Sequence, residues 1–303
     1  MTAKSKSSRV VYAAVFANVA IAIAKFIVAA ITGSSAVLSE GIHSTVDSLN
    51  ECLLLLGLRR SRRSPDQGHP FGHGKELYFW SLLVAVLLFG VGGGMAIYEG
   101  IIHIIHGESA SDPLWSCAVL AIAACFEGYS FAVAFRALGA HHDAGNPLRW
   151  WKRVQSSKDP AVYTVFVEDF AALCGIIVAL AGVGLGVLFD NPYFDGAASI
   201  LIGCILATVA VLLAHETREL LVGESARPEI VAEIRALIER DPDVDSVEPP
   251  LTMQLGRDAI LVNADVHLRR GLSGEDQVQV LERIVREIRT TRPQVSCISL
   301  QPK

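Results

Sequence analysis

Between Ser39 and Leu58 the sequence reads SEGIHSTVDSLNECLLLLGL, a run long enough to cross a bilayer but carrying Glu40, His43, Asp47, Asn50 and Glu51. Groups of this kind cost about 2.5–3.5 kcal/mol each in hydrocarbon even on lenient insertion scales. Their offsets of 0, +3, +7, +10 and +11 put all five on one stripe of an α-helix. His43 and Asp47 stand one turn apart, so an imidazole nitrogen and a carboxylate oxygen can converge on one divalent cation at about 2.0–2.2 Å. A mixed N/O pair suits zinc and, less selectively, iron, cobalt or manganese. The plainer alternative is a His–Asp hydrogen bond that ties helices together. With three further polar residues on the same stripe of an apolar segment, an ion site is the favoured reading.

Two ligands are too few, so another segment must contribute. YTVFVEDFAALCG offers Glu168 and Asp169, which as neighbours on a helix point about 100° apart and leave open which one faces a shared cavity. Glu127 in CFEGYSF fits a cavity or proton role as well as it fits helix–helix bonding. Asn18 and Lys25 are further polar residues in an apolar run, and Lys25 can pair with one of the carboxylates.

Other candidates have plainer explanations. His69 and His73 could capture metal, but Gly68, Pro70, Gly72 and Gly74 around them favour a turn. Asp265 and His267 share one face of a strand, where a solvated or dimer-facing role is expected. His141 and His142 fall in a polar loop. Cys52, Cys117, Cys125, Cys174, Cys204 and Cys297 form no CxxC pair and read as small thiols in apolar or reducing surroundings. No HExxH or GxSxG motif supports an enzyme, and no prosthetic group is implied.

The 303 residues are 51% hydrophobic and 19% charged, below the roughly 25% charged of soluble domains. The mean hydropathy is +0.42. The apolar excess is confined to the first part of the chain, which divides into a transmembrane domain over residues 1–222 and a soluble domain over 223–303. Six segments are long and apolar enough to span: Val10–Ile31, Ala36–Leu58, Leu77–Ile105, Leu114–Leu138, Ala161–Leu188 and Phe194–Ala214. Lys4, Lys6 and Arg9 precede the first. Arg59, Arg60, Arg62, Arg63 and Lys75 separate the second and third, and Arg149, Lys152, Arg153 and Lys158 separate the fourth and fifth. The other three connections carry neither lysine nor arginine, so both termini are expected in the cytoplasm.

The last part alternates helix and strand. Ile230, Ile234, Leu237 and Ile238 fit one helical face, a strand is expected over Val247–Leu255, and Ile260, Val262, Ala264, Val266 and Leu268 alternate as a one-sided strand. Ser273 is placed to cap a helix carrying Leu281, Ile284, Val285 and Ile288, and Val295–Leu300 reads as a closing strand. The predicted fold class is therefore six membrane helices followed by a small cytoplasmic α+β domain of order αββαβ, ferredoxin-like.

With these residues in view, the chain resembles the cation diffusion facilitators. The likeness rests on SEGIHSTVDSLNE, on HPFGHGKELYFWS before the third span, and on GVGGGMAIYEGI within it. WSCAVLAIAACFEGYSFAVA and HETRELLVGESARPE look closest to the branch that includes the mitochondrial zinc transporters of animals. The compact chain without a transit segment suggests a bacterial member in the inner membrane. The resemblance implies a homodimeric exporter, embedded in lipid, that exchanges a divalent metal, zinc first, for protons by alternating access. No nucleic-acid partner is expected. His43 and Asp47 match the family's ligand pair on the second span. On the fifth, most relatives have a histidine four residues before an aspartate, and here that place holds Val165 or Thr164. The missing imidazole keeps a manganese- or iron-preferring exporter in view. The resemblance also raises metal binding in the soluble domain, for which VSCISLQPK offers only Cys297. From a different class, a membrane-anchored metal sensor or scaffold remains the alternative. Glu40, Asn50, Glu51 and Glu127 are accessory or proton-coupling candidates beside the ligand candidates His43, Asp47, Glu168 and Asp169.

Overall fold

The computed structural model describes residues 3–32, 35–106, 113–138, 160–191 and 193–303. The chain forms two compact units, one of Met1–Arg59 with Phe79–Thr217 and one of Arg60–Tyr78 with Arg218–Lys303.

The first unit is helical: α1 (Ala3–Thr32), α2 (Ser35–Arg60), α3 (Glu76–Leu87), a π-helical turn (Leu88–Gly93), α4 (Gly94–His106), α5 (Pro113–Ala137), α6 (Pro160–Phe189) and α7 (Tyr193–Val222). Among the described residues, five stretches are apolar and long enough to cross a membrane: Val10–Ile27, Glu76–Ile105, Ser116–Ala137, Pro160–Phe189 and Tyr193–Val222. α2 is not among them, because Glu40, Asp47, Glu51, Arg59 and Arg60 dilute its apolar content. α1 shows how the sidedness arises. Val10, Ala14, Ala17 and Ile21 are buried at helical spacing, while Tyr12, Phe16, Val19 and Ile23 point outward, as residues facing lipid should. α5 packs against α1 and α6, and α1 also touches α6.

The motif GVGGGMAIYEGI makes a seam. Gly93 meets Gly203 on α7, and Gly100 meets Gly196, so two glycines seven residues apart on each helix let the backbones touch. The glycine-rich stretch also accommodates the π turn. A Cβ on Gly203 would sit 2.5 Å from Ile97 Cγ1 and 2.8 Å from the Gly93 carbonyl oxygen. Gly203→Val should therefore push α4 and α7 apart and cost about 1–3 kcal/mol. Thermal unfolding of purified protein checks this, with Gly184→Ala, which meets nothing within 4 Å, as the silent control.

The second unit holds α8 (Pro228–Glu239), β1 (Val244–Val247), β2 (Leu251–Gly256), β3 (Ala259–Leu268), α9 (Gly274–Thr291) and β4 (Val295–Pro302). β3 alternates as expected, with Ile260, Val262, Ala264, Val266 and Leu268 buried. The expected strand Val247–Leu255 is in fact two. Pro249 and Pro250 lack the N–H groups a ladder needs, so β1 pairs with the end of β3 and β2 with its beginning, both antiparallel. The order is thus αβββαβ rather than αββαβ, with β4 parallel on the other edge of β3. Ser273 caps α9 in a capping box with Asp276. Ile230, Ile234, Leu237, Ile238, Ile284 and Ile288 join the inner face of β3 in one core.

Candidate functional site

α1, α2, α5 and α6 bring polar side chains together inside an otherwise apolar unit. On α2, Asn50 and Glu51 are 2% exposed, Ser44 is buried and Asp47 half-buried. Four residues beyond Asn50 the fully buried Leu54 ends the polar stripe, so part of the leucine face is turned inward as well. The side chains of Glu40 and His43 lie outside the described residues.

α6 contributes both acids of the Glu168–Asp169 pair, and the roughly 100° between them is used. Glu168 adjoins Asn50 and is within electrostatic reach of Asp47, Glu51 and Glu127. Asp169 is 3% exposed and adjoins Glu127 and Ser130 of α5. Glu51 accepts a hydrogen bond from Asn18 Nδ2 of α1 at 2.7 Å. Lys25, two turns further along the same face of α1, donates to Ser44 Oγ at 2.8 Å. Among the described residues, Glu51 Oε2, Glu168 Oε2, Asp169 Oδ2 and Asn50 Oδ1 are buried without a hydrogen-bond partner. The positions a histidine would occupy on α6, Thr164 and Val165, are both buried, and Thr164 Oγ1 also lacks a partner among the described residues.

Five carboxylates gathered in apolar surroundings repel one another strongly. Such a cluster persists only if positive charge is supplied, and the lone pairs left open on facing helices can accept it from protons or from a metal ion.

A second cluster lies in the Arg60–Tyr78 segment of the other unit. One oxygen or nitrogen from each of Asp66, His69 and His73 lies within 4.8 Å of the others, close enough to share an ion. His73 Nε2 is 2.9 Å from Asp66 Oδ2, and His69 Nδ1 is 3.4 Å from Asp66 Oδ1. The two rings lie 4.2 Å apart. The turn expected from the glycines and proline is present, with the His69 N–H donating to Asp66 Oδ1 at 2.7 Å and Gly72 at φ +85°. The turn and the ligand grouping are therefore one structure. Asp66 is not among the residues the sequence singles out, and its place three residues before His69 in a Gly/Pro-rich turn is the signal that points to it. The His73 side chain and then the His69 N–H hold its carboxyl down from the usual range to about 2. The segment is seated on the sheet by a bare backbone contact. A Cβ on Gly74 would fall 2.4 Å from the Leu255 carbonyl oxygen, and Lys75 Nζ donates to the Leu221 carbonyl at 3.2 Å.

Elsewhere, His267 Nε2 lies 3.5 Å from Glu248 Oε1, and Asp265 pairs with Lys303, so these groups form surface ion pairs. Cys297 is half-buried on β4. His141, His142 and the basic residues Arg149, Lys152, Arg153 and Lys158 lie outside the described residues.

Apolar membrane-length helices around a buried acidic cluster mark a multi-pass membrane protein. Residues 11–222 match the family profile described as the cation efflux transmembrane domain, and the chain belongs to the cation efflux (cation diffusion facilitator) family. This is a family of transporters, not of enzymes. The chain is 34% identical over 235 residues to the mitochondrial proton-coupled zinc antiporter SLC30A9 of Xenopus laevis, covering 78% of this chain and 42% of that protein. It is 32% identical over 245 residues to metal tolerance protein C4 of Arabidopsis thaliana, covering 80% of this chain and 52% of that protein. With the manganese efflux system protein MneP of Bacillus subtilis it shares 25% identity over 232 residues, covering 77% of this chain and 74% of that protein. The chain thus spans about half the length of the first two relatives.

Proposed function

We propose that this chain is a divalent-cation exporter, zinc first, that runs by exchange for protons through alternating access. The observation that carries the reading is the set of buried carboxylate oxygens of Glu51, Glu168 and Asp169 on helices α2 and α6 that have no hydrogen-bond partner among the described residues. Asp47 and Glu168, with the imidazole of His43, are the proposed ligands. Asp169, Glu127, Glu51, Glu40 and Asn50 serve as neighbouring proton carriers or ligand supports. We read α2 as the sixth span, with Asp47, Asn50 and Glu51 on the side of this acidic cluster.

Ligands must shed protons before they bind metal, so binding releases protons and weakens as pH falls. Facing the cytoplasm, the deprotonated ligands take the ion. Facing outward, protonation of His43 and a carboxylate ejects it, and the proton-loaded pocket returns. Imidazole titrates near physiological pH, which makes His43 the coupling residue. The name of the zinc antiporter relative accords with this cycle. The lysines and arginines at the connections support a reading with both termini in the cytoplasm, and we read the carrier as a homodimer in a bacterial inner membrane with the C-terminal unit as a ferredoxin-like dimerisation domain.

A manganese preference is the second reading, favoured by the absence of any histidine at Thr164 or Val165 and by the relative that is a manganese efflux protein. Reconstituted full-length protein in sealed vesicles with an imposed pH gradient, offered zinc, manganese, iron and cobalt in turn, tests the function. Flux of at least one metal that collapses with the gradient supports it. Metal binding with no flux under any gradient would leave a sensor or scaffold instead.

The Asp66–His69–His73 cluster is proposed as a cytoplasmic capture site. Asp66 keeps its charge until pH falls to about 2, because the His73 side chain and then the His69 N–H hold its carboxyl below the usual range. His73→Ala should weaken zinc binding at the loop by about tenfold or more, read by calorimetric titration.

A further inference from the structure

The proposed exchange leaves one buried charge without a role. Lys25 is 7% exposed, sits on an apolar helix, and cannot ligate a metal while it carries its proton. A lysine at this depth is expensive and is normally found where it faces a polar interior. Its three donors have a fixed anchor in Ser44 Oγ of α2, 2.8 Å away. Asn18, seven residues earlier on the same face of α1, reaches Glu51 in the same way. α1 therefore presents a polar edge to the acidic stripe of α2. From α5, Glu127 is within electrostatic range of Lys25 and also of Asp47, and it adjoins Asp169 of α6. One tethered cation thus stands at the edge of a pocket that holds Asp47, Glu51, Glu127, Glu168 and Asp169.

We infer that Lys25 is the affinity-setting residue of the transport pocket, a built-in cation that weakens the hold of the acids on a divalent ion so that the ion can leave. The inference rests on the reading of this pocket as the transport site. A carrier gains nothing from a site that never empties. Five carboxylates with no resident positive charge would bind a divalent ion tightly, whereas a fixed ammonium raises the local potential in every state and penalises a doubly charged guest twice as much as a proton. Ser44 holds the ammonium in place, which separates it from a freely swinging surface lysine.

The test is calorimetric titration of zinc chloride and of manganese chloride into purified full-length protein at mildly alkaline pH. Asp66→Ala and His73→Ala are present throughout, so that the loop does not contribute. Lys25→Met should bind about tenfold more tightly than the parent, and Lys25→Arg should stay within about twofold of it. Lys25→Met combined with Glu127→Gln, which removes one charge of each sign, should return toward the parent affinity, a result that mere loss of packing would not give. Should Lys25→Met not fold, Lys25→Gln retains a donor for Ser44 and gives the same reading. Unchanged or weaker binding in the Lys25 variants, with binding by the parent still abolished by Asp47→Ala, overturns the role of Lys25 and leaves the pocket standing. A parent that binds neither metal overturns both.

Discussion

Asp47→Ala is expected to abolish metal flux driven by a pH gradient, a loss of at least about a hundredfold, equivalent to ~2.8 kcal/mol of ion stabilisation. Asp47 stands half-buried on α2 and is within electrostatic range of Glu51, Glu127 and Glu168, so its charge acts on acids of α2, α5 and α6. No neighbour replaces it without moving a helix. Asp47→Asn separates charge from shape, because the amide keeps the volume and one acceptor oxygen but not the negative charge. If binding depends on charge, it should fall nearly as far as the alanine variant. Flux into sealed vesicles, with protein recovery and thermal unfolding compared in parallel, reads the effect. Flux within about twofold of the parent would remove Asp47 from the ion pathway.

The second large effect is expected at Glu168. It adjoins Asn50 and lies opposite the α2 acids, whereas Asp169 leans toward Glu127 and Ser130. Glu168→Gln should lower flux by about tenfold or more and raise the apparent KM for metal, while Asp169→Asn should leave that KM nearer the parent value. The reverse ranking would exchange the two roles, assigning Asp169 to the ion and Glu168 to its support.

Much of this arrangement was legible in the residues, because polar side chains in apolar runs have few reasons to be there. Asp47, Asn50 and Glu51 on α2 and the acids on α6 could be named as polar residues in apolar runs, and they come together in the structure, while the side chains of Glu40 and His43 lie outside the described residues. Which of the two acids faces α2 could not be named, since adjacent residues on a helix differ only by a rotation that packing decides. Glu127 and Asp169 meet across α5 and α6, a pairing that no periodicity announces. The one-sided strand β3 and the Ser273 cap followed from pattern and side-chain chemistry. The division of the preceding strand did not follow, although Pro249 and Pro250 were in plain view, because alternation on both sides of a proline pair looks continuous until hydrogen-bond donors are counted. Gly93 and Gly100 belong to a motif quoted from the sequence, and only the contact with Gly203 and Gly196 on α7 shows them as one side of a seam. Asp66 was hidden for a related reason. In a turn, an aspartate is expected to cap its own backbone, and Asp66 does so while also meeting both histidines.

The claim on which the rest depends is that the acids between α2 and α6 are where the ion sits. Locating manganese by anomalous X-ray scattering in the metal-loaded protein tests it most directly. The account predicts an ion between the carboxylates of Asp47 and Glu168, with a second at Asp66, His69 and His73. Manganese confined to the loop, with the α2 and α6 acids bonded to neighbouring helices and no ion between them, would contradict it.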